Sequence, residues 1–172
     1  MTPAPDPRKR TGMTLAPKPS PAYNADNPFR ALLGVVVTDV APGTATVVID
    51  PIASVLLQAR GIVHGGVYAT LVDCATGEAL QTVMPTGHEG FTVDLNLTYL
   101  RPVTGARLVA YGRAVRCGRT VGVATADIHD KDGALVATGR ATFAVRPEGT
   151  QLRARPSRVH QGPASTTKGP EA

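Results

Sequence analysis

A long apolar segment constrains the fold of this chain more than any other feature of its sequence. It covers residues 65 to 83, starting at two consecutive glycines and stopping just before Pro85. Its apolar members, spread around most of a helix's circumference, are Val67, Ala69, Leu71, Val72, Cys74, Ala75, Ala79, Leu80 and Val83. A helix that is apolar on nearly every side has to be covered on every side. The segment therefore predicts one buried helix with a sheet wrapped over it.

Six segments with strand character accompany this helix. They are residues 35–40, 45–50, 91–100, 107–116, 121–130 and 135–145. The first two flank an APGT turn and predict a hairpin, and a short helix closed by Gly34 precedes them at residues 28–34. In the third, residues 91, 93, 95, 97 and 99 are large and apolar or aromatic while the residues between them are polar, so the odd-numbered side chains should share one face. The predicted fold class is α+β.

Composition indicates one domain between two tails. A chain of 172 residues with 42% hydrophobic residues can bury one core. Residues 1–27 and 147–172 are rich in proline and poor in large apolar side chains, which predicts disorder, and each carries four Lys or Arg against two acids. The predicted domain, residues 28–146, is nearly neutral, with ten bases against nine acids. The excess of basic residues behind the high pI of about 9.6 therefore lies mainly in the tails, and we expect no nucleic-acid partner.

Other segments and side chains exclude several classes of protein. No stretch approaches the roughly 20 apolar residues of a membrane helix, and the amino terminus lacks a signal-peptide pattern, so a cytoplasmic protein without membrane contact is expected. Cys74 and Cys117 lack the paired spacing of a zinc site and are too few for a disulfide framework. We expect neither a metal nor a separate cofactor.

The start of the long helix suits a developing negative charge. The first amides of a helix have no partner within it and lie at the positive end of its dipole. Glycines at positions 65 and 66 would let a substrate carbonyl approach those amides closely. The HGG sequence could equally be a tight entry from loop to helix.

Asp73 places a carboxylate in the apolar helix, which is costly unless it is paired or functional. It could serve as a general base, or it could bond to nearby backbone or face a hydrated seam. Eight residues of helix advance about 12 Å, too far for Gly65 and Asp73 of one chain to act on the same carbonyl. If both act on one substrate, they come from two subunits, which predicts a dimer.

The combination of GIVHGG, VYATLVD and GFTVDLNLTYLRPV resembles the hotdog-fold acyl-CoA thioesterases of the phenylacetate-pathway type, close to the 4-hydroxybenzoyl-CoA thioesterases. The resemblance covers about residues 28 to 146. It implies a central helix wrapped by a curved antiparallel sheet, and hydrolysis of an acyl-CoA to a carboxylate and free CoA. It also implies a homodimer or a dimer of dimers, with coenzyme A entering only as part of the substrate.

The resemblance also implies roles for individual residues. The Gly65 amide would polarise the thioester carbonyl, and His64 would support its loop. Asp73 would act as general base or nucleophile. Gln58 matches an amide residue that contacts the carbonyl, and Thr92 a hydroxyl residue that positions water in some relatives. Each of these two residues has an alternative interpretation. Gln58 could be a loop amide that bonds to backbone groups, and Thr92 could be an outward-facing threonine of a strand.

Coenzyme A would need cations for its phosphates. Arg101, Arg116, Arg119 and Arg140 lie at strand ends or turns, and the CGRT turn favours Arg119 by resemblance. Gly66 would supply a second amide to the substrate.

Two other functions remain open at this point: an enoyl-CoA hydratase or dehydratase on the same fold, and a non-catalytic acyl-CoA-binding regulator. The identity of the acyl group cannot be read from these residues.

Overall fold

Two α-helices and six β-strands make up the part of the chain that the computed structural model describes, residues 27–50 and 52–150. Helix α1 (Pro28–Leu33) precedes the hairpin of β1 (Val35–Ala41) and β2 (Thr44–Ile49). A 3-10 turn (Ser54–Leu56) leads to α2 (Gly65–Gln81), followed by β3 (His88–Tyr99), β4 (Leu108–Cys117), β5 (Val121–Asp130) and β6 (Leu135–Pro147). Most of both predicted tails, residues 1–26 and 151–172, lies outside the described residues.

The six strands form one antiparallel sheet in the order β1-β2-β4-β5-β6-β3. Strands β1 and β3 are its edges. Helix α2 packs across one face, where its Leu71, Ala75 and Leu80 are fully buried. The predicted α+β hotdog architecture is confirmed. Neither α-helix of the described residues has the length and hydropathy of a membrane-spanning segment.

Helix α2 ends at Gln81, two residues before the predicted end at Val83. The cause is Thr82, whose hydroxyl donates to the Ala79 carbonyl at 2.7 Å and accepts from the Gly43 amide at 2.7 Å. These bonds tie the end of the helix to the β1–β2 turn. Val83 then lies 39% exposed beyond the helix.

Helix α2 and strand β4 meet at backbone distance. A Cβ atom added to Gly112 of β4 would lie 2.0 Å from the carbonyl oxygen of Ala75. The small side chain of Ala75 on α2 allows this close approach. Because no side chain fits between the two backbones, the close approach of α2 and β4 requires Gly112 on the strand as well as Ala75 on the helix.

A β-bulge changes which residues of β3 face the helix. Thr92 pairs with Phe143 and Asp94 with Thr142, so Val93 is an extra residue in β3. Before the bulge Thr92 faces α2, whereas after it Leu95 and Leu97 pack against the core. The predicted alternation is therefore wrong for residues 91 to 93: Val93 is 64% exposed, and Phe91 lies on the face opposite to Thr92.

The Gly112 contact gives a stability prediction. Gly112→Ala forces a methyl group into the Ala75 carbonyl and should lower the free energy of unfolding by about 3 kcal/mol. Gly77→Ala, on α2, is the matched control, because its new Cβ would meet Phe143 at an ordinary 3.5 Å. That change should be neutral or stabilise by up to about 1 kcal/mol through helix propensity. Urea unfolding of both variants tests the contact, and equal stability of Gly112→Ala and wild type would contradict it.

Candidate active site

A cleft of about 470 Å³ runs between α1, α2 and β3. Asp73 and Thr92 lie next to each other in its lining. Its apolar lining includes Met84, Leu95 and Phe143. The cleft therefore combines one carboxylate and one hydroxyl with a surface suited to an apolar group.

The Thr92 hydroxyl donates a hydrogen bond to Oδ1 of Asp73 at 2.7 Å. Asp73 is half-buried, and this bond fixes the orientation of its carboxylate. Among the described residues no group donates to Oδ2, so that oxygen can accept a proton. The structure thus brings together two predicted site residues, and Thr92 is not the outward-facing threonine of the alternative interpretation.

His64 caps the amino terminus of α2. Its Nδ1 accepts from the Gly66 amide at 3.0 Å, and its carbonyl accepts from the Val67 amide at 3.0 Å. Because Nδ1 is an acceptor, the neutral ring carries its proton on Nε2. The Gly66 amide, expected to face the substrate, is therefore already occupied. Within the described part of the chain, no acceptor bonds the Gly65 amide.

Gln58 lies in a tight loop that leads into α2. Its backbone amide donates to the Ile62 carbonyl at 2.8 Å and its carbonyl accepts from the Gly61 amide at 2.9 Å. A β-bridge between Leu57 and Val63 closes the loop, so Gln58 is held close in sequence and space to the start of α2. Its side chain is exposed. The Gln58 side chain does not line the cleft that contains Asp73, and within the described residues the hydrogen bonds of Gln58 are made by its backbone.

Arg30 of α1 reaches the cleft, and sequence reasoning missed it. Its guanidinium forms an ion pair with Glu78, and the two side chains are only 13% and 10% exposed. Burial by itself lowers the pKa of Arg30, but attraction and hydrogen bonding from Glu78 outweigh it and raise the pKa above its ordinary value. Nothing in the short NPFRALL segment signals this pairing, since Glu78 is 48 residues away.

Cys74 lies beside this ion pair. Burial raises the pKa of its thiol, although Arg30 opposes the shift. A thiol that stays protonated at neutral pH is a poor nucleophile. Cys74 therefore serves as packing in the wall of the cleft.

Two of the predicted cationic residues come together away from the cleft. Arg116 and Arg119 line a depression of about 330 Å³ at the β4–β5 turn. It lies on the sheet face opposite to α2, because Gly122 faces the helix and its neighbours Val121 and Val123 line the depression. Arg101 stands apart and exposed after β3, and Arg140 pairs with Asp94 at 3.5 Å.

Comparison with known proteins agrees with this architecture. The sequence pattern of the Thioesterase superfamily matches residues 60–137. A Halobacterium salinarum protein, VNG_1336C, is 38% identical over 72% of this chain and 88% of its own length. The medium/long-chain acyl-CoA thioesterase YigI of Escherichia coli is 33% identical over 51% of this chain and 64% of YigI.

A solved structure extends the comparison to the fold. The thioesterase family protein from Silicibacter pomeroyi is 31% identical and superposes with a TM-score of 0.67, covering 72% of this chain and 92% of that protein. The residues that match the family pattern, 60–137, lie within the described part of the chain. The chain therefore belongs to the thioesterase superfamily, and it is a thioester hydrolase with the hotdog fold.

Proposed function

We propose that the protein hydrolyses acyl-CoA thioesters to a carboxylate and free CoA, with Asp73 as general base. The observation that carries this proposal is the Thr92–Asp73 hydrogen bond at the mouth of a partly apolar cleft. The name of its relative YigI, an acyl-CoA thioesterase, supports the substrate class. No cofactor is required, because CoA belongs to the substrate.

The carboxylate has one bonded oxygen and one available oxygen. With Oδ1 held by Thr92, Oδ2 removes a proton from a water molecule, and the resulting hydroxide attacks the thioester carbonyl carbon. The negative charge that develops on the carbonyl oxygen is stabilised by the Gly65 amide. When the C–S bond breaks, the proton held by Asp73 passes to the departing thiolate. Direct attack by Oδ2 would use the same geometry, with water then hydrolysing the anhydride.

Two copies of the chain are needed for this chemistry. Within one chain, eight residues of α2 separate the Gly65 amide from Asp73, about 12 Å along the axis. Strand β3 is a 12-residue edge strand that carries Thr92 and leaves its outer backbone groups without a neighbouring strand in the described chain. Long exposed edges of this kind pair readily with another strand. A second copy at this edge would bring its own α2 beside the cleft, completing the site with its Gly65 amide.

Arg116 and Arg119 are the residues we propose for the phosphates of CoA. They are the predicted cations that share one depression, and guanidinium groups bind phosphate oxygens in pairs. Sheet row Thr92–Phe143–Gly122 joins the cleft to the strand that begins beside the depression, about 10 Å across two strand spacings. Because the cleft and the depression lie on opposite faces of the sheet, the substrate would also have to pass round the nearby strand ends, which a long, flexible molecule can do.

The first prediction about function concerns Asp73. Asp73→Asn should lower the rate of thiol release from acyl-CoA about 10²- to 10⁴-fold, because the amide cannot accept the proton. Thr92→Val should lower it less, since the carboxylate remains but loses its fixed orientation. A panel of aromatic, short-chain and long-chain acyl-CoAs, followed with a thiol reagent, measures both effects and identifies the acyl group.

The chain provides a matched control for both changes. Thr138 donates to Asp127 at 2.6 Å on the outer face of the sheet, the same pair of side chains away from the cleft. Asp127→Asn and Thr138→Val should leave turnover unchanged. Wild-type turnover in a folded Asp73→Asn variant would contradict the assignment.

The second prediction tests the shared site. Gly65→Pro removes the amide donor at the first helical position, where the backbone accepts proline, and its ring also displaces the Tyr99 hydroxyl; this variant should be inactive, as should Asp73→Asn. Mixed dimers purified from co-expressed, differently tagged variants should recover about half of wild-type activity, because one of their two sites has both groups intact. Mixed dimers as inactive as the parent variants would place both groups in a single chain.

The third prediction separates CoA binding from chemistry. Arg119→Ala and Arg116→Ala should each raise KM for an acyl-CoA about five-fold, because each removes an exposed ionic contact worth about 1 kcal/mol. The same variants should leave KM unchanged for the matching N-acetylcysteamine thioester, which lacks the nucleotide. Arg113→Ala, an exposed strand arginine outside the depression, is the control. Equal effects on both substrates would contradict phosphate binding.

A further inference from the structure

We propose that Tyr99 is a positioning residue that holds the Gly65 amide in place for the oxyanion. This inference rests on the proposed function, in which that amide stabilises the thioester oxygen. Tyr99 lies within the GFTVDLNLTYLRPV segment, but neither the composition nor the family resemblance implies such a role for it. The evidence is the set of contacts that Tyr99 makes at the start of α2.

Tyr99 contacts the helix start through both its hydroxyl and its ring. The hydroxyl donates to the Gly65 carbonyl at 3.1 Å. The ring lies edge-on to Tyr68, with centroids 5.7 Å apart and planes at 88°. Tyr68 lies in the first turn of α2 and is only 3% exposed, so it provides a fixed surface for the more exposed Tyr99 ring.

Both peptide groups that flank Gly65 are fixed by side chains or by the first helical turn. In the peptide between Gly65 and Gly66, the carbonyl accepts from Tyr99 and the amide donates to His64 Nδ1. In the peptide between His64 and Gly65, the carbonyl accepts from the Val67 amide. The remaining group is the Gly65 amide, which has no acceptor among the described residues. Fixing its neighbours keeps that amide oriented before the reaction, the condition under which an oxyanion donor is effective.

Strand β3 therefore positions two groups of the proposed machinery. Thr92, in the middle of the strand, holds the Asp73 carboxylate, and Tyr99, at its end, holds the peptide after the Gly65 amide. Both groups lie on α2. Contact with one strand at two points fixes the helix start relative to the carboxylate within each copy.

Tyr99 also leaves little room at position 65. A Cβ atom on Gly65 would lie 2.8 Å from the Tyr99 hydroxyl and 3.2 Å from the ring carbon that carries it. Adding a methyl group at position 65 must displace the hydroxyl. The steric contact couples the two positions in a way that a distant structural residue would not show.

The test compares Tyr99→Phe with Tyr111→Phe. Tyr111 is 47% exposed against 56% for Tyr99, and lies edge-on to His129 on the outer face of the sheet. Tyr99→Phe should lower kcat for acyl-CoA hydrolysis about five-fold, the effect of one hydrogen bond, with KM within about two-fold of wild type. Tyr111→Phe should change neither constant. A Tyr99→Phe variant with wild-type kcat would overturn the proposal.

A second comparison uses the steric coupling. Gly65→Ala should lower kcat by a larger factor in the wild-type background than in the Tyr99→Phe background, because the phenylalanine removes the nearest atom. Equal factors in the two backgrounds would mean that the positions act independently, and would contradict the inference.

Hydrogen exchange gives a measurement that does not depend on turnover. In Tyr99→Phe, the Gly66 amide should exchange faster than in wild type or Tyr111→Phe, since the peptide it belongs to has lost its bond to the Tyr99 side chain. Unchanged exchange at Gly66 would contradict the role of Tyr99 even in a protein that released no thiol. Absence of thiol release with faster exchange would instead contradict the proposed function and support the positioning contact.

Discussion

The contact between Ala75 of α2 and Gly112 of β4 determines how the rest of the structure can be arranged. Because the Ala75 carbonyl occupies the space of a Cβ on the strand, helix and sheet meet at backbone distance. The sheet can then curve around the helix and bury Leu71, Ala79 and Leu80 completely. One line of the helix remains open toward α1 and β3, and Asp73 lies on it. The cleft is therefore a consequence of how tightly the other sides of α2 are covered.

The two carboxylates of that cleft have different roles, one structural and one chemical. Glu78 lies in the same cleft as Asp73, but its carboxylate is paired with Arg30. Buried ion pairs add little net stability, whereas they do specify which elements meet. Here the pair attaches α1, in which no residue is fully buried, to α2. Asp73 is bonded only to a neutral hydroxyl in the described structure, so it keeps an oxygen for proton transfer.

Much of the fold and part of the site were predictable from sequence. The spacing of apolar residues in each segment predicted six strands and one buried helix, because that spacing reflects which faces of an element are buried. Asp73 stood out because a carboxylate in such a helix needs a partner, and the family resemblance supplied Gly65, His64 and Thr92. Arg30 could not be found this way, because its partner is 48 residues away and ion pairs leave no spacing signal. Tyr99 read as one more apolar position in an alternating strand.

The sequence by itself determined the elements, the buried helix and the presence of a carboxylate in it, because local periodicity and the cost of burial act within each segment. Only the tertiary structure decided which side chains meet that carboxylate. Strand β3 acquires its bulge at Val93 by pairing with β6, and the extra residue reverses the face of Thr92 relative to Leu95. Alternation along a single strand cannot show this, because a bulge is a property of two strands in register. The Thr92–Asp73 bond therefore depends on a pairing between residues about 50 positions apart, as in Thr92 and Phe143.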